Sequence, residues 1–531
     1  MRVSLPVVST LKQYDVQRLQ KDVLAGATVG VMVVPQALAY ASIADLPLQY
    51  GLLSSWVGPL IYALLGTCKD ISVGPTALMS LLVAHAVSSL SSADDRVAAS
   101  LLLAFLSGIL QTLGALVQGG ALVRFLSSPI LNGFISAAAL TIGFGQLHHF
   151  VGTGSSRKSF VDDVGKGLKG IPHGIKTHWP DLVLGLALLA LLFALKRMRD
   201  VYSTSRLAWV LGTARNGIVV ALGTVIVVVD AAIRHGGSVP VAEHAHSPFV
   251  LTGHVPGGLS GAFRVPAFRS LRAWVSFVGP YAPIVAAVGY LESISIAKAF
   301  ASKAKYRIRP SQELLAIGMA NVLGSFASAY PVTGSFSRSA VNSRSGVVTP
   351  LAGIATSAIV LLAIFVLTPA FGYVPKISLA CIIIGAVIPM FELHAVVELW
   401  SIRKAEAGVA VITFLACLGI NIPLGIVTGL AASVSLLLYD VSHPHIRVVR
   451  DGSAGPGGGA LAFVGPLFYP GVDRLEEAMV EHSAIDLDVS QMTDADATGI
   501  RLLRRLVGEG VRVVGLEEGV GGERAPLLVN V

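Results

Sequence analysis

Between residues 23 and 439 one apolar window follows another, and that succession limits the fold more than any motif does. Windows near 23–40, 50–66, 71–91, 98–117, 125–147, 181–195 and 208–229 form a first group of seven candidate spans. After a polar stretch, windows near 274–297, 311–327, 329–342, 347–371, 376–391, 406–421 and 424–439 form a second group of seven. Several fall short of the roughly 20 residues that a clean helical span needs, which puts the count between 12 and 14. Charged residues make up only 13% of the chain, against about 25% in a typical soluble domain. The chain therefore reads as an α-helical integral membrane protein whose main partner is the lipid bilayer.

Two windows break the rules for membrane helices in the same way. Ile71–Ser80 has a Gly-Pro break at its centre, and Ser328–Ala340 carries Pro331, Gly334 and a charged Arg338. Interrupted segments at matching places in two halves of a transporter are the best sequence pointer to a substrate site. The halves also share a spacing: Gln36 lies 39 residues before Pro75, and Glu292 lies 39 before Pro331 (75 − 36 and 331 − 292). With an odd number of spans in each half, the second half is expected to be inverted relative to the first.

Basic residues set the orientation. With the N-terminus inside, Lys196, Arg197, Arg199 and Arg206 fall on one cytoplasmic loop, Lys303, Lys305, Arg307 and Arg309 on another, and Arg403 and Lys404 on a third. Segments 148–180 and 230–272 are then extracellular, and both termini are cytoplasmic. Residues 1–21 read as a cytoplasmic N-terminal segment without a cleavable signal, and 22–440 as the transport domain. The net charge of +8 follows from these loops and needs no nucleic-acid partner. Cys68, Cys381 and Cys417 lie far apart in or beside apolar segments, with neither metal nor disulfide spacing.

From about residue 441 the pattern becomes that of a small soluble α/β domain spanning 441–531. Apolar runs at Ile446–Val449 and Leu461–Val464 flank a glycine-rich loop. A helix over Val472–His482, a strand over Ala484–Val489, a helix over Thr498–Val507 and a strand over Val511–Gly515 are expected next. Little chain follows that last strand to close the sheet. The run Gly455–Gly459 lacks the Lys-Ser/Thr of a phosphate loop. No nucleophile–base arrangement is evident, so neither an enzyme nor a cofactor is expected.

The chemistry of the broken segments suits an anion. A helix N-terminus carries roughly half a positive charge and presents free N–H groups to an anion. Two opposed N-termini supply about one unit, and Arg338 adds another with a fork that matches an oxyanion. Thr333, Ser335, Ser337 and Ser339 place hydroxyls around the same break. The blander reading of Arg338 is a snorkelling or ion-paired residue, and that of Gly74 and Thr76 is a kink that aids packing. Gln36 and Tyr40, four apart on one helical face, could equally be glue between helices. Glu292 is either the counter-ion of Arg338 or Lys298, or a proton carrier. Protonated, it leaves the site near +2 and suited to sulfate; ionised, it leaves the site near +1 and suited to chloride or bicarbonate. Each charge moved against the membrane potential costs roughly 2.3 kcal/mol per 100 mV, so sulfate entry gains from coupling to protons or a counter-anion.

Five runs carry a family resemblance: Val33–Ala41, Leu46–Leu52, Gly66–Thr76, Leu291–Ala301 and Tyr330–Asn342. Together they resemble the signature segments of the SulP sulfate permease family, over almost the whole chain. Gln312–Gly318 and Tyr330–Asn342 are most similar to its animal, sodium-independent branch. The resemblance implies 14 spans as a 7+7 inverted repeat, divided into a mobile core and a gate, followed by a cytoplasmic STAS domain. It implies a homodimer in the plasma membrane or the lysosomal membrane. It also implies elevator-like exchange of small anions such as sulfate, chloride, bicarbonate or oxalate. By position the substrate-binding residues would be Gln36, Tyr40, Thr76, Ala77, Ser337 and Arg338, with Glu292 tuning charge or coupling protons. Ala497 stands where bacterial STAS regulators place a phosphorylated serine, which argues against phospho-switching there. A chloride channel, an anion-gated motor and a nucleobase–proton symporter are the competing functions.

Overall fold

The computed structural model describes residues 6–12, 14–117, 128–151, 164–165, 179–202, 204–234, 248–253, 255–259, 263, 275, 277–391, 393–443, 445–449, 459–481 and 484–514. Most of the expected extracellular segments 148–180 and 230–272, the glycine-rich loop before Gly459 and the stretch 515–531 lie outside the described residues. Contacts divide the chain into two units, Met1–Gly429 and Leu430–Val531.

The first unit is helical. Its elements begin with α1 (Pro6–Leu11), α2 (Val16–Ile43), α3 (Gln49–Leu65), a two-residue strand β1 (Val73–Gly74), α4 (Ala77–Val87) and α5 (Ala93–Leu116). Then come α6 (Ser128–Gly145), α7 (Leu147–Val151), α8 (Trp179–Val201), α9 (Arg206–Arg234), α10 (Ala282–Lys303) and α11 (Pro310–Phe326). The series continues with β2 (Thr333–Gly334), α12 (Phe336–Arg344), α13 (Ala352–Val366), α14 (Thr368–Phe371), α15 (Lys376–Val387), α16 (Leu393–Ile402), α17 (Lys404–Gly419) and α18 (Ile422–Ser442). Every apolar window of the sequence overlaps one of these helices. Among the described residues, seven helical stretches are long and apolar enough to cross a membrane by length and composition. Shorter apolar helices include α4, α13 and α15. The three cysteines are free and buried.

Small residues let these helices approach closely. α5 packs along α11, and α13 along α2 and α3. A Cβ added at Gly108 would lie 2.7 Å from the Gly318 carbonyl oxygen, and one at Gly26 would lie 2.2 Å from that of Ala352. Packing of this kind replaces the hydrophobic drive that lipid does not provide between helices.

Buried charge at one end of the unit is matched by donors. Glu313, in the first turn of α11, is 1% exposed. Its carboxylate accepts from the Tyr62 hydroxyl at 2.6 Å, the Thr67 hydroxyl at 2.5 Å, and the amides of Thr67 at 2.8 Å and Cys68 at 3.2 Å. Asp22 on α2 accepts from the amides of Val348 and Thr349 at 2.8 and 3.0 Å and from the Thr349 and Tyr14 hydroxyls. These carboxylates hold the loops before α4 and α13 against the helices.

In the second unit, β3 (His445–Val449), β4 (Gly459–Leu467), β5 (Ala484–Ala495) and β6 (Arg512–Val514) form a sheet in that order. β3 pairs antiparallel with β4, whereas β4–β5 and β5–β6 are parallel. Helices α19 (Tyr469–Glu481) and α20 (Ala497–Gly508) make the crossovers, and Phe463, Leu475, Leu487 and Leu503 anchor the core. Sequence alone ends the third strand at Val489. The structure carries it to Ala495, because bulged pairing with β4 continues through Gln491, Met492 and Ala495. Asp496 then caps α20, accepting from the amides of Thr498 at 3.0 Å and Gly499 at 2.8 Å.

Candidate functional site

The two broken segments meet. Val73 pairs with Gly334 and Gly74 with Thr333, antiparallel, as a two-stranded crossing inside the helical unit. The crossing extends by the Ser335 amide donating to the Ser72 carbonyl at 3.0 Å. From the Ser339 side, the hydroxyl accepts from the Ser72 amide at 3.0 Å. Each strand runs within three residues into a helix, α4 at Ala77 and α12 at Phe336. The first N–H groups of those helices have no intrahelical acceptor, by the geometry of any helix start. On α4 the Thr76 hydroxyl takes one of them, the Met79 amide at 3.3 Å.

Both halves of the structure enforce the crossing. Asn321 on α11 clamps Val332, accepting from its amide at 2.8 Å and donating to its carbonyl at 3.2 Å and to Gln111 at 3.0 Å. Ser293 on α10 accepts from the Gly334 amide at 3.0 Å, while the Thr333 hydroxyl donates to the Gly289 carbonyl at 2.7 Å. Ser54 on α3 accepts from the Tyr330 amide at 2.9 Å. A side chain at Gly334 would strike Ile71, 2.5 Å from an added Cβ. Unpaired backbone at membrane depth is costly, and this polar frame satisfies it with protein. None of Asn321, Ser293, Gln111 or Ser54 shows a local sequence signal beyond being polar in an apolar window.

Arg338 lies in the first turn of α12 and is 0% exposed. One guanidinium nitrogen, Nη1, donates to the Pro75 carbonyl of the opposite break at 2.8 Å. Nε and Nη2 have no protein partner. Nη2 passes so close to Gly74 that a Cβ there would lie 3.2 Å from it. Arg338 makes no ion pair within 4.0 Å among the described residues, which argues against the structural-pair reading.

The other expected site residues distribute around this crossing. Thr76, the N-cap of α4, donates a long 3.4 Å hydrogen bond to Glu292 on α10. Ala77 is buried in the first helical position of α4. Gln36 and Tyr40 are buried on α2, which packs against both α4 and α12. The Oε1 of Gln36 has no partner, and Tyr40 is within electrostatic reach of Arg338 and Glu292. Glu292 is half-buried and pairs within 4.0 Å with neither Arg338 nor the exposed Lys298. Ser337 is exposed, 3.4 Å from the Ser335 hydroxyl.

Two sequence expectations change. Of the hydroxyls expected to face a ligand, Thr333 and Ser339 instead hold the crossing together. The equal spacing to Pro75 and Pro331 does not mark equivalent positions either. Pro75 follows β1 and accepts from Arg338, whereas Pro331 precedes β2. The strands, not the prolines, are the equivalent features.

Arg338 presents two unpaired donors beside the starts of two helices, with hydroxyls and a carboxylate at the margin. Such an arrangement can take a small anion.

Comparison with known proteins agrees. The Sulfate permease family matches residues 19–413. The "Sodium-independent sulfate anion transporter" of Bos taurus is 38% identical, covering 96% of this chain and 84% of that protein. The chloroplastic "Sulfate transporter 4.1" of Arabidopsis thaliana is 35% identical over 81% of this chain and 59% of its own length. These relatives carry the names of transporters, in line with the expectation that the chain is no enzyme. Among solved structures, the murine Slc26a9 anion transporter in the inward-facing state superposes with a TM-score of 0.81, covering 96% of this chain and 87% of that one at 22% identity. The transmembrane domain of the cyanobacterial bicarbonate transporter BicA gives 0.61, covering 79% and 98% at 19% identity, so both likenesses concern the fold. A match over that much of the sequence, with relatives this similar along most of it, places the chain in the Sulfate permease family.

Proposed function

We propose that this protein moves sulfate, and other small anions such as chloride, bicarbonate or oxalate, across a membrane without sodium. The site would hold the anion at the crossing, with Gln36, Tyr40, Thr76, Ala77, Ser337 and Arg338 around it. Arg338 carries the reading: a fully buried guanidinium with Nε and Nη2 unpartnered, stitched by Nη1 across to the opposite break. A buried charge left without partners costs several kcal/mol, of order 3–5. A bound anion removes that cost, which gives it a reason to bind here and not elsewhere in the bundle.

In this reading residues 22–440 form 14 spans as a 7+7 inverted repeat, whose core carries the crossing past the gate in an elevator-like step. Residues 441–531 form a cytoplasmic STAS domain, and two chains associate in a plasma or lysosomal membrane with both termini cytoplasmic. Anion exchange or proton coupling drives the cycle. Protonated Glu292 favours a divalent anion by raising the net charge of the site, and ionised Glu292 favours a monovalent one.

The test is labelled-sulfate uptake into liposomes carrying the full chain, at several pH values, with chloride or bicarbonate opposite. Saturable, trans-stimulated uptake supports exchange, and uptake that rises with acidity without a trans anion supports proton coupling. Chloride current without sulfate uptake would instead make it a channel. Glu292→Gln should flatten the pH profile; an unchanged profile would remove Glu292 from the mechanism.

A further inference from the structure

Around the crossing, donors outnumber acceptors. Arg338 Nε and Nη2 have no protein partner, and the Tyr40 hydroxyl makes no hydrogen bond among the described residues. On the acceptor side, Gln36 Oε1 is unpartnered and Glu292 takes only the long bond from Thr76.

One more donor follows from counting hydrogens. Tyr330, just ahead of β2, and Ser80, in the first turn of α4, meet hydroxyl to hydroxyl at 3.1 Å. They are 1% and 0% exposed, so water does not serve them. Each hydroxyl carries a single hydrogen, and the bond between them uses only one of the two. The other has no acceptor among the described residues, and a buried O–H left unpaired is costly. A phenol is a stronger donor than an alkyl hydroxyl. With Ser80 donating to Tyr330 Oη, the phenolic hydrogen is the one left for a ligand.

The place of this hydrogen fits an anion at the crossing. Tyr330 is buried in the same apolar cluster as Tyr40 and Ala77, which fixes its ring. It lies within electrostatic reach of both Arg338 and Tyr40. Chloride is a sphere that Arg338 and the helix starts can satisfy together. The oxygens of a tetrahedral oxyanion diverge, and a donor on a separate element reaches one that the guanidinium fork leaves bare.

We propose that the Tyr330 hydroxyl, steadied by Ser80, is an oxyanion-selective donor of the crossing, binding sulfate and contributing little to chloride. This inference rests on the function proposed above. The competing account is a brace that only ties α4 to the segment before β2. The test is binding of labelled sulfate to the full chain in detergent, with unlabelled chloride as competitor. Wild type, Tyr330→Phe, Ser80→Ala and Arg338→Met are compared, each with its thermal unfolding midpoint. Tyr330→Phe keeps the ring and should weaken sulfate about tenfold, with chloride within about twofold of wild type. Ser80→Ala breaks the same bond but spares the phenolic hydrogen, and should weaken sulfate only about threefold. Equal losses in the two variants would make the pair a brace. A Tyr330→Phe variant that binds sulfate as wild type does, or loses both anions alike, would also overturn the donor role while leaving the site at Arg338 intact. Sulfate binding that does not change with Arg338→Met would instead overturn the crossing as the site, and this inference with it.

Discussion

Two buried charges, Arg338 and Glu313, sit in the same helical unit at 0% and 1% exposure, and the protein treats them in opposite ways. Glu313 accepts from four donors on the loop between α3 and β1 and on Tyr62, so its charge is spread over protein groups. Arg338 makes one bond, to Pro75, and keeps two donors unpaired. Desolvating either charge is costly, and the cost is offset only where partners surround it. Burial alone therefore does not tell a structural charge from a functional one; the unsatisfied hydrogen-bonding capacity does. Glu313 reads as a clasp and Arg338 as an incomplete coordination shell.

The sharpest way to break this comparison is to remove each charge and follow both stability and transport. Arg338→Met should lower sulfate uptake by about 100-fold or more, the size of lost charge-assisted bonds. It should leave the thermal unfolding midpoint unchanged or higher, because the variant no longer buries an under-paired charge. Glu313→Ala should do the reverse. It should cost about 3–5 kcal/mol of stability by stranding buried donors, measured by thermal unfolding, with the half-saturation for sulfate unchanged in the protein that remains folded. Should Glu313→Ala weaken anion binding and Arg338→Met destabilise the fold, the two roles are exchanged.

Smaller effects sharpen the same contrast. Gly74→Ala puts a Cβ 3.2 Å from Arg338 Nη2 and pushes the guanidinium aside. Half-saturation for sulfate should rise about tenfold, and stability should fall by about 1–3 kcal/mol, because Gly74 has φ +157°, a conformation that residues with a side chain rarely adopt. Ser54→Ala removes the acceptor of the Tyr330 amide but touches neither Arg338 nor the helix starts. It should cost about 1–3 kcal/mol of stability and leave sulfate affinity as in wild type. Parallel loss of affinity in Ser54→Ala would mean that the whole frame, not Arg338, sets binding.

Much of this was legible without coordinates, for physical reasons that differ by feature. Helix positions follow from runs of apolar residues, and all of them coincide with helices. The breaks at Gly74-Pro75 and at Pro331 to Gly334 show because Gly and Pro punctuate helices through local backbone chemistry. Arg338 stands out because an intramembrane charge is rare. The pairing of Val73 with Gly334 was not legible, since strand register depends on what α10 and α11 present from far along the chain. The clamp by Asn321, Gln111 and Ser293 was hidden for the same reason: its meaning lies in partners that are distant in sequence. Glu313 appeared only as part of a family run, and nothing local announces its four donors. The bond between Ser80 and Tyr330 joins residues far apart in the chain, and no window of sequence contains it.

The central claim is that an anion completes the hydrogen-bonding shell of Arg338. The most direct measurement is a structure of the full chain with selenate, a heavier stand-in for sulfate located by its anomalous scattering. The account predicts a selenate oxygen at about 2.7–2.9 Å from Nη2 or Nε of Arg338, the length of a charge-assisted bond, between the starts of α4 and α12. Selenate bound elsewhere while Arg338 keeps only the Pro75 carbonyl would contradict it.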